Sequence, residues 1–112
     1  MSDSACVCFA PGAHVKWIDS LDIGTTDRYW EVTRMRCAHC GTLWVRAFLE
    51  YEAFSRSGRH YRAPTTDQAI GGVTAEDALH VIELAPFKIA GGSRFDGQER
   101  IVTGAENLLE SP

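Results

Sequence analysis

The order of apolar and polar positions predicts several strands in the middle of the chain. Residues 29–36 are rich in β-branched and aromatic side chains, which favour a strand. Residues 42–54 fit both an apolar period of two and a helical spacing of aromatic side chains, and we interpret them as a strand. The reason is the sequence that follows, because residues 56–59 are typical of a turn and residues 60–62 of a returning strand. Residues 29–63 are therefore predicted to form a three-stranded antiparallel meander.

The segments on either side of this meander predict a loop-rich start and one main helix. Residues 6–23 are interpreted as loop, strand and loop, with a short alternating apolar run in the middle. Thr74 and Asp77 have the spacing of a capping box, and the apolar positions that follow share one helical face. The pattern predicts a helix over residues 75–84.

The C-terminal part of the chain has the pattern of a hairpin. Apolar runs lie on either side of Gly91-Gly92 and Asp96-Gly97, which are typical of a loose turn. A last helical turn is expected from Ala105 onward. The fold class is therefore α+β, with an antiparallel meander, one main helix in the C-terminal half and a C-terminal hairpin. We expect a single metal-stabilised domain over residues 1–112.

Composition and charge limit the class of protein. The 112 residues carry a formal net charge of −4, and 45% of them are hydrophobic, as is usual for one globular domain. No apolar run approaches the ~18–20 residues of a membrane helix, and Met1 to Ala5 lacks the basic residues of a signal peptide. We therefore expect a cytoplasmic protein with no membrane partner. Residues 28–62 are basic between acidic flanks, which indicates either a binding face or charges that are neutralised within the fold.

Four cysteines form two close pairs. Cys6 and Cys8 are two positions apart, so both sulfur atoms can lie on one side of an extended segment. Cys37 and Cys40 have the spacing of a tight turn, and Gly41 after them suits a left-handed backbone conformation. In a reducing compartment such pairs are more often metal ligands than disulfides. Four thiolates complete the tetrahedral shell of a structural Zn²⁺, which would fasten the N-terminal arm to the meander.

Two short motifs carry a family resemblance. The stretch from Cys37 to Gly41 (CAHCG), with Cys6 to Cys8 (CVC), resembles the knuckles of zinc-ribbon and rubredoxin-like proteins. The resemblance implies a Zn²⁺ ion held by Cys6, Cys8, Cys37 and Cys40. Two alternatives stay open: His14 replaces one cysteine as a ligand, or Cys37 and Cys40 form a thiol redox pair.

Aromatic and basic side chains indicate a candidate partner-binding face. Alternation along residues 42–54 assigns Leu43 to the core and leaves Trp44 and Phe48 on the opposite side. That side needs a cover, for which we expect the C-terminal helix rather than the N-terminal arm or a partner. The candidate partner contacts are Trp44, Phe48, Arg56, Arg59, His60 and Arg62.

These features favour a binding protein over an enzyme. The sequence contains no nucleophile elbow, Walker loop or HExxH motif. We expect a small non-enzymatic zinc protein that binds another protein, and in size and character it is similar to bacterial immunity proteins that neutralise a toxin. A nucleic-acid-binding zinc ribbon is the alternative, although the chain is acidic overall.

Overall fold

The computed structural model describes residues 6–27, 29–49, 58–92 and 97–104. In these residues, six antiparallel strands form one sheet in which each strand pairs with the next along the chain. Its strands are β1 (Trp17–Thr25), β2 (Glu31–Cys37), β3 (Leu43–Leu49), β4 (Arg59–Thr65), β5 (Phe87–Gly91) and β6 (Arg100–Thr103). A 3₁₀ turn (Val7–Phe9) precedes β1, and two helices, α1 (Asp67–Ile70) and α2 (Ala75–Leu84), lie between β4 and β5.

Most of the predicted elements are confirmed. The meander of residues 29–63 corresponds to β2, β3 and β4, residues 42–54 contain a strand rather than a helix, and β5 and β6 form the C-terminal hairpin. The helix over residues 75–84 has the predicted bounds, and Thr74 Oγ1 accepts a hydrogen bond from the Asp77 N–H. The fold is mostly β with some helix, so α+β understates the sheet.

The other segments differ from the predictions or lie outside the described residues. Strand β1 continues to Thr25 through a segment predicted to be a loop, and α1 was not predicted. The expected helical turn after Ala105 lies outside the described residues, as does part of the turn at residues 56–59.

Helix α2 covers one face of the sheet, here called the helix-side face. Alternate residues of β2, β3 and β4 point to this face, and the apolar side of α2 packs on them. The buried helix residues are Ala75, Ala78, Leu79, Ile82 and Glu83, and the strand residues beneath include Val32, Val45, Ala47, Leu49, Tyr61 and Ala63.

The opposite face, here called the cysteine-side face, is covered at one end by the N-terminal arm. Its core contains Met35, Cys37, Trp44 and Ile89 of the sheet, with Cys8 and the partly buried Phe9, Val15, Trp17 and Phe87 packed around them. The Trp44 ring lies 5.0 Å from the Phe9 ring and 6.0 Å from the Trp17 ring, measured between centroids. The prediction that the C-terminal helix covers Trp44 is therefore wrong: α2 already packs on the helix-side face, and the arm covers the other.

Candidate metal centre

Two turns place the four cysteines at one end of the cysteine-side face. Cys6 and Cys8 lie at the 3₁₀ turn, whose first hydrogen bond runs from the Phe9 N–H to the Cys6 carbonyl (2.9 Å). Cys37 is the last residue of β2 and Cys40 follows in the turn to β3. The Gly41 N–H closes that turn on the Cys37 carbonyl at 2.9 Å, and its φ of 79° is the left-handed conformation expected from the sequence.

The four sulfur atoms converge to the size of a metal shell. All four lie within 4.8 Å of one another. Two contacts join the arm to the β2–β3 turn, from Cys6 Sγ to Cys37 Sγ and from Cys8 Sγ to Cys40 Sγ, each 3.6 Å long. A regular tetrahedron of sulfurs about 2.3 Å from a central Zn²⁺ has edges of about 3.8 Å. The arrangement can therefore hold a metal ion with small adjustments.

The β2–β3 turn makes hydrogen bonds with two of the sulfur atoms. The His39 N–H donates to Cys37 Sγ at 3.4 Å, and the Cys40 thiol donates to Thr42 Oγ1 at 3.2 Å. The Arg36 guanidinium donates to the Gly41 carbonyl at 2.8 Å. Such contacts hold the ligand atoms in place, and the N–H donated to Cys37 Sγ favours the thiolate form that binds metal.

The Cys8 and Cys40 thiols differ in pKa because they differ in burial and in hydrogen-bond partners. The Thr42 side chain lowers the pKa of the exposed Cys40 thiol to about 6. Burial raises the pKa of the Cys8 thiol and its contact with Cys40 raises it further, while the nearby indole of Trp44 lowers it. A divalent cation deprotonates coordinating thiols outright, so metal binding would bring both sulfurs to the same charge state.

The alternative ligands are placed differently. His14 is exposed and is not part of the cysteine cluster found among the described residues. Cys37 ends a strand rather than beginning a helix, and a helix N-terminus is what lowers the first thiol pKa in thioredoxin-like pairs. The geometry thus favours four cysteine ligands.

A buried arginine next to the centre was not assigned to it by sequence reasoning. Arg62 of β4 donates from Nη1 to the Cys8 carbonyl at 2.6 Å, and its Nη2 lies 3.6 Å from Glu99 Oε1. Glu99 Oε1 also accepts a hydrogen bond from the Gly12 N–H at 2.8 Å. Partners this far apart in the chain leave no local pattern. The one available signal was the alternation of β4, which places Arg62 on the same side as Trp44.

The six candidate partner contacts do not form one exposed face. Trp44 and Arg59 are 0% exposed and Arg62 is 3% exposed, so these three side chains are interior. Phe48 and His60 are half-buried cross-strand neighbours on the cysteine-side face. Arg56 lies outside the described residues. The sequence overestimated the exposed surface because both faces of this part of the sheet are covered.

Comparisons with protein-family models, with curated proteins and with solved structures gave no match to this chain. The resemblance to zinc-ribbon knuckles therefore rests on the cysteine motifs alone, and the resemblance to immunity proteins rests on size and character alone. Among the helices in the described part of the chain, none is long and apolar enough to cross a membrane.

Proposed function

We propose that the chain is a zinc-stabilised binding domain, in which Cys6, Cys8, Cys37 and Cys40 hold a structural Zn²⁺ and the fold presents a surface to another protein. The observation that carries the proposal is the convergence of the four sulfur atoms within 4.8 Å. The donor set supports zinc, because closed sites of four soft thiolates are typical of Zn²⁺.

The position of the site supports a structural role. Two hydrogen bonds join the arm from Cys6 to Gly12 to the rest of the fold, one from the Gly12 N–H to Glu99 and one from Arg62 to the Cys8 carbonyl. A metal would join this arm covalently to the β2–β3 turn, and so hold Phe9 over Trp44. Structural zinc contributes about 10–16 kcal/mol in zinc-finger peptides, which is enough to decide whether a small domain folds.

The experiment is mass spectrometry of the purified chain under native and denaturing conditions, with elemental analysis of the same sample. We expect one zinc per chain that is lost on acidification, and thiols that all react with an alkylating reagent after denaturation. A chain that holds no metal and whose mass is lower by the thiol hydrogens lost when a disulfide forms would support the redox pair instead.

The binding part of the proposal is supported by a cleft beside the edge strand β1. The cleft has a volume of about 300 Å³ and lies between β1, β2 and the end of α1. Its apolar wall consists of Leu21, Ile23, Ile70 and Val73. Leu21 is 52% exposed and the nearby Ile18 is also exposed. Apolar clefts at a sheet edge accept anchoring side chains of partner proteins.

A charge substitution in the cleft tests this surface. We expect Leu21→Glu to abolish capture of a partner from the native cell while the chain stays folded. Leu84→Glu is the matched control, because Leu84 is 61% exposed on α2, away from the cleft residues. Proteins captured equally by the wild type and both variants would contradict the cleft as the binding surface.

The placement of the arginines favours a protein over a nucleic acid as the partner. Arg34 and Arg36 of β2 both pair with Asp67, at 3.4 and 3.8 Å. Arg59 and Arg62 are buried. Of these four side chains of the basic segment, Arg34 and Arg36 share one carboxylate and the other two are enclosed within the fold, whereas phosphate binding needs exposed cations. A resemblance to immunity proteins would make the partner a toxin, and binding to generic RNA at low salt would overturn this choice.

A further inference from the structure

The guanidinium of Arg62 contacts the backbone of Cys8 and the rings of two tryptophans. Its central carbon is 4.7 Å from the Trp44 ring centroid and 5.2 Å from the Trp17 ring centroid. Its Nη1 donates to the Cys8 carbonyl at 2.6 Å, and its Nη2 lies 3.6 Å from the Glu99 carboxylate. A cation that is 97% enclosed needs negative charge nearby to offset its lost hydration. Within the described part of the chain, Glu99 supplies this charge from the β5–β6 connection.

The indole of Trp44 provides a second donor at the same place. Its Nε1 is fully buried and has no hydrogen-bond acceptor among the described residues. The Trp44 side chain packs in the same buried cluster as Cys8 and Cys37. A thiol is a weak acceptor, but a metal-bound thiolate is negatively charged and accepts hydrogen bonds more strongly.

From this geometry we propose that Arg62 and Trp44 are positioning residues for the metal centre: the guanidinium offsets the net negative charge of four thiolates around a divalent ion, and the Trp44 indole N–H donates to Cys8 Sγ once the metal is bound. This inference rests on the proposed zinc site. It explains why a sheet face with an aromatic core also contains a buried arginine whose Nη1 contacts the arm that carries Cys6 and Cys8.

The arrangement also holds the arm in place by bonds that do not involve the sulfur atoms. Arg62 fixes the Cys8 carbonyl from β4, and Glu99 fixes Gly12 from the β5–β6 connection. The arm is thus held against the sheet at two points other than the sulfur atoms. A metal therefore meets ligands that are already close together, which lowers the entropy lost on binding.

The other face of the sheet contains a matched pair that lacks cysteines. Trp30 is buried on the helix-side face, its Nε1 likewise has no acceptor among the described residues, and the Arg59 guanidinium lies 5.5 Å from its ring. Substitutions at Trp30 and Arg59 remove the same chemical groups from an equally buried position. They report the loss of stability that any such change causes.

The experiment measures Co²⁺ and Zn²⁺ binding to the full chain by competition with a chelator, together with the thiolate-to-cobalt charge-transfer absorption. The variants are Arg62→Met, Arg62→Lys and Trp44→Phe, with Arg59→Met and Trp30→Phe as controls. We expect Arg62→Met to weaken metal binding about 10–100-fold, as is usual for outer partners of metal ligands. We also expect Trp44→Phe to move the charge-transfer band to lower energy, and Arg62→Lys to restore part of the affinity because it keeps the charge.

The outcomes separate this inference from the proposed function. If the wild type binds neither Co²⁺ nor Zn²⁺, both are overturned. If the wild type binds and the Arg62 and Trp44 variants match the controls in affinity and spectrum, only the present inference is overturned. Should Arg62→Met fail to fold with metal present, the comparison of Trp44→Phe with Trp30→Phe decides the question in the same way.

Discussion

The Glu99 carboxylate lies 2.9 Å from the imidazole Nε2 of His60, across the gap between the β5–β6 connection and β4. An ionised carboxylate only accepts hydrogen bonds, so Nε2 carries the hydrogen in this pair. The same carboxylate accepts from the Gly12 N–H and lies near Arg62. One acidic side chain thus connects the N-terminal arm, the central strand β4 and the C-terminal hairpin.

This pair predicts that the fold loses stability as the pH falls. Burial lowers the pKa of His60 below its ordinary 6.5. The Glu99 carboxylate acts in the opposite direction, and the positive charges of Arg46 and Arg62 lower the pKa further. Because the unfolded chain takes up the proton first, stability is complete above pH 6.5 and is lost as the pH falls below that value. The measurement is the unfolding temperature at pH 7.5 and 5.5, with zinc present.

The substitution His60→Gln separates this effect from acid release of metal. The variant keeps an N–H donor for Glu99 but cannot be protonated, so we expect a smaller fall in unfolding temperature between the two pH values than in the wild type. His14→Gln is the control, since it removes an exposed imidazole. A fall as large in His60→Gln as in the wild type would show that His60 contributes nothing to the acid sensitivity.

The contribution of Glu99 to the stability of the fold also depends on pH, over a lower pH range. Burial raises the pKa of its carboxyl, but the Gly12 N–H, His60 and Arg62 together outweigh this and hold the pKa below its ordinary 4.5. Stability from a carboxylate with a depressed pKa is present above the unfolded value and is lost as the pH falls through the folded one. Protonation of either His60 or Glu99 as the pH falls therefore destabilises the fold.

Local patterns allowed parts of this fold to be predicted. Helix α2 was predictable at both ends because Thr74 caps it through a local hydrogen bond and Pro86 follows its last turn. The sequence of β3 fitted both the apolar period of a strand and the spacing of a helix, and the predicted turn and returning strand after it favoured the strand. The cysteine cluster was predictable because two short spacings restrict where sulfur atoms can lie.

Long-range contacts were not predictable in this way. Which segment covers Trp44 depends on how the arm crosses the sheet, and no periodicity contains that information. The burial of Arg59 and Arg62 depends on aromatic rings from other segments, Trp30 before β2 and Trp17 of β1. Charge patterns alone made these arginines resemble a binding surface, because a basic side chain is exposed far more often than it is enclosed.

Substitution of individual cysteines should give graded effects. Cys37 is fully buried, so Cys37→Ser would place a poor ligand in the interior and open the metal shell; we expect loss of zinc and an unfolded or aggregated chain. Cys40 is exposed, and in Cys40→Ser water can complete the shell, so we expect a folded chain with weaker zinc binding. Zinc content and circular dichroism measure both effects.

A matched control for the cysteine variants lies in the same turn. Ala38 is exposed, and Ala38→Ser adds a hydroxyl group without removing a sulfur. We expect it to behave like the wild type. Equal zinc content and an unchanged unfolding temperature in Cys37→Ser would contradict the structural role of the site.

The N-cap of α2 predicts a moderate loss of stability. Thr74 Oγ1 accepts the Asp77 N–H at 3.2 Å, so Thr74→Ala leaves that donor without its partner. We expect a loss of about 1 kcal/mol in the free energy of unfolding, measured by urea denaturation. Thr74→Ser keeps the oxygen and should remain close to the wild type; if both variants lose the same amount, the cap hydrogen bond is not the cause.

Two glycines with positive φ differ in what an added Cβ would meet, so their substitutions distinguish backbone strain from steric crowding. Gly92 has φ +114°, and a Cβ there would lie 2.5 Å from the Gly58 carbonyl oxygen and 2.6 Å from the Arg59 Cα, which are backbone atoms at the start of β4. Gly72 has φ +75° with nothing within 4 Å of the added atom. We expect Gly72→Ala to cost about 1 kcal/mol from its left-handed conformation, and Gly92→Ala to cost about 1–3 kcal/mol more because β4 and β5 must move apart. The measurement is urea denaturation of both variants. Equal losses would mean that strand spacing at Gly92 can relax without cost, whereas the larger loss would show that β5 must remain close to β4, the strand that supplies Arg62 to the cysteine cluster.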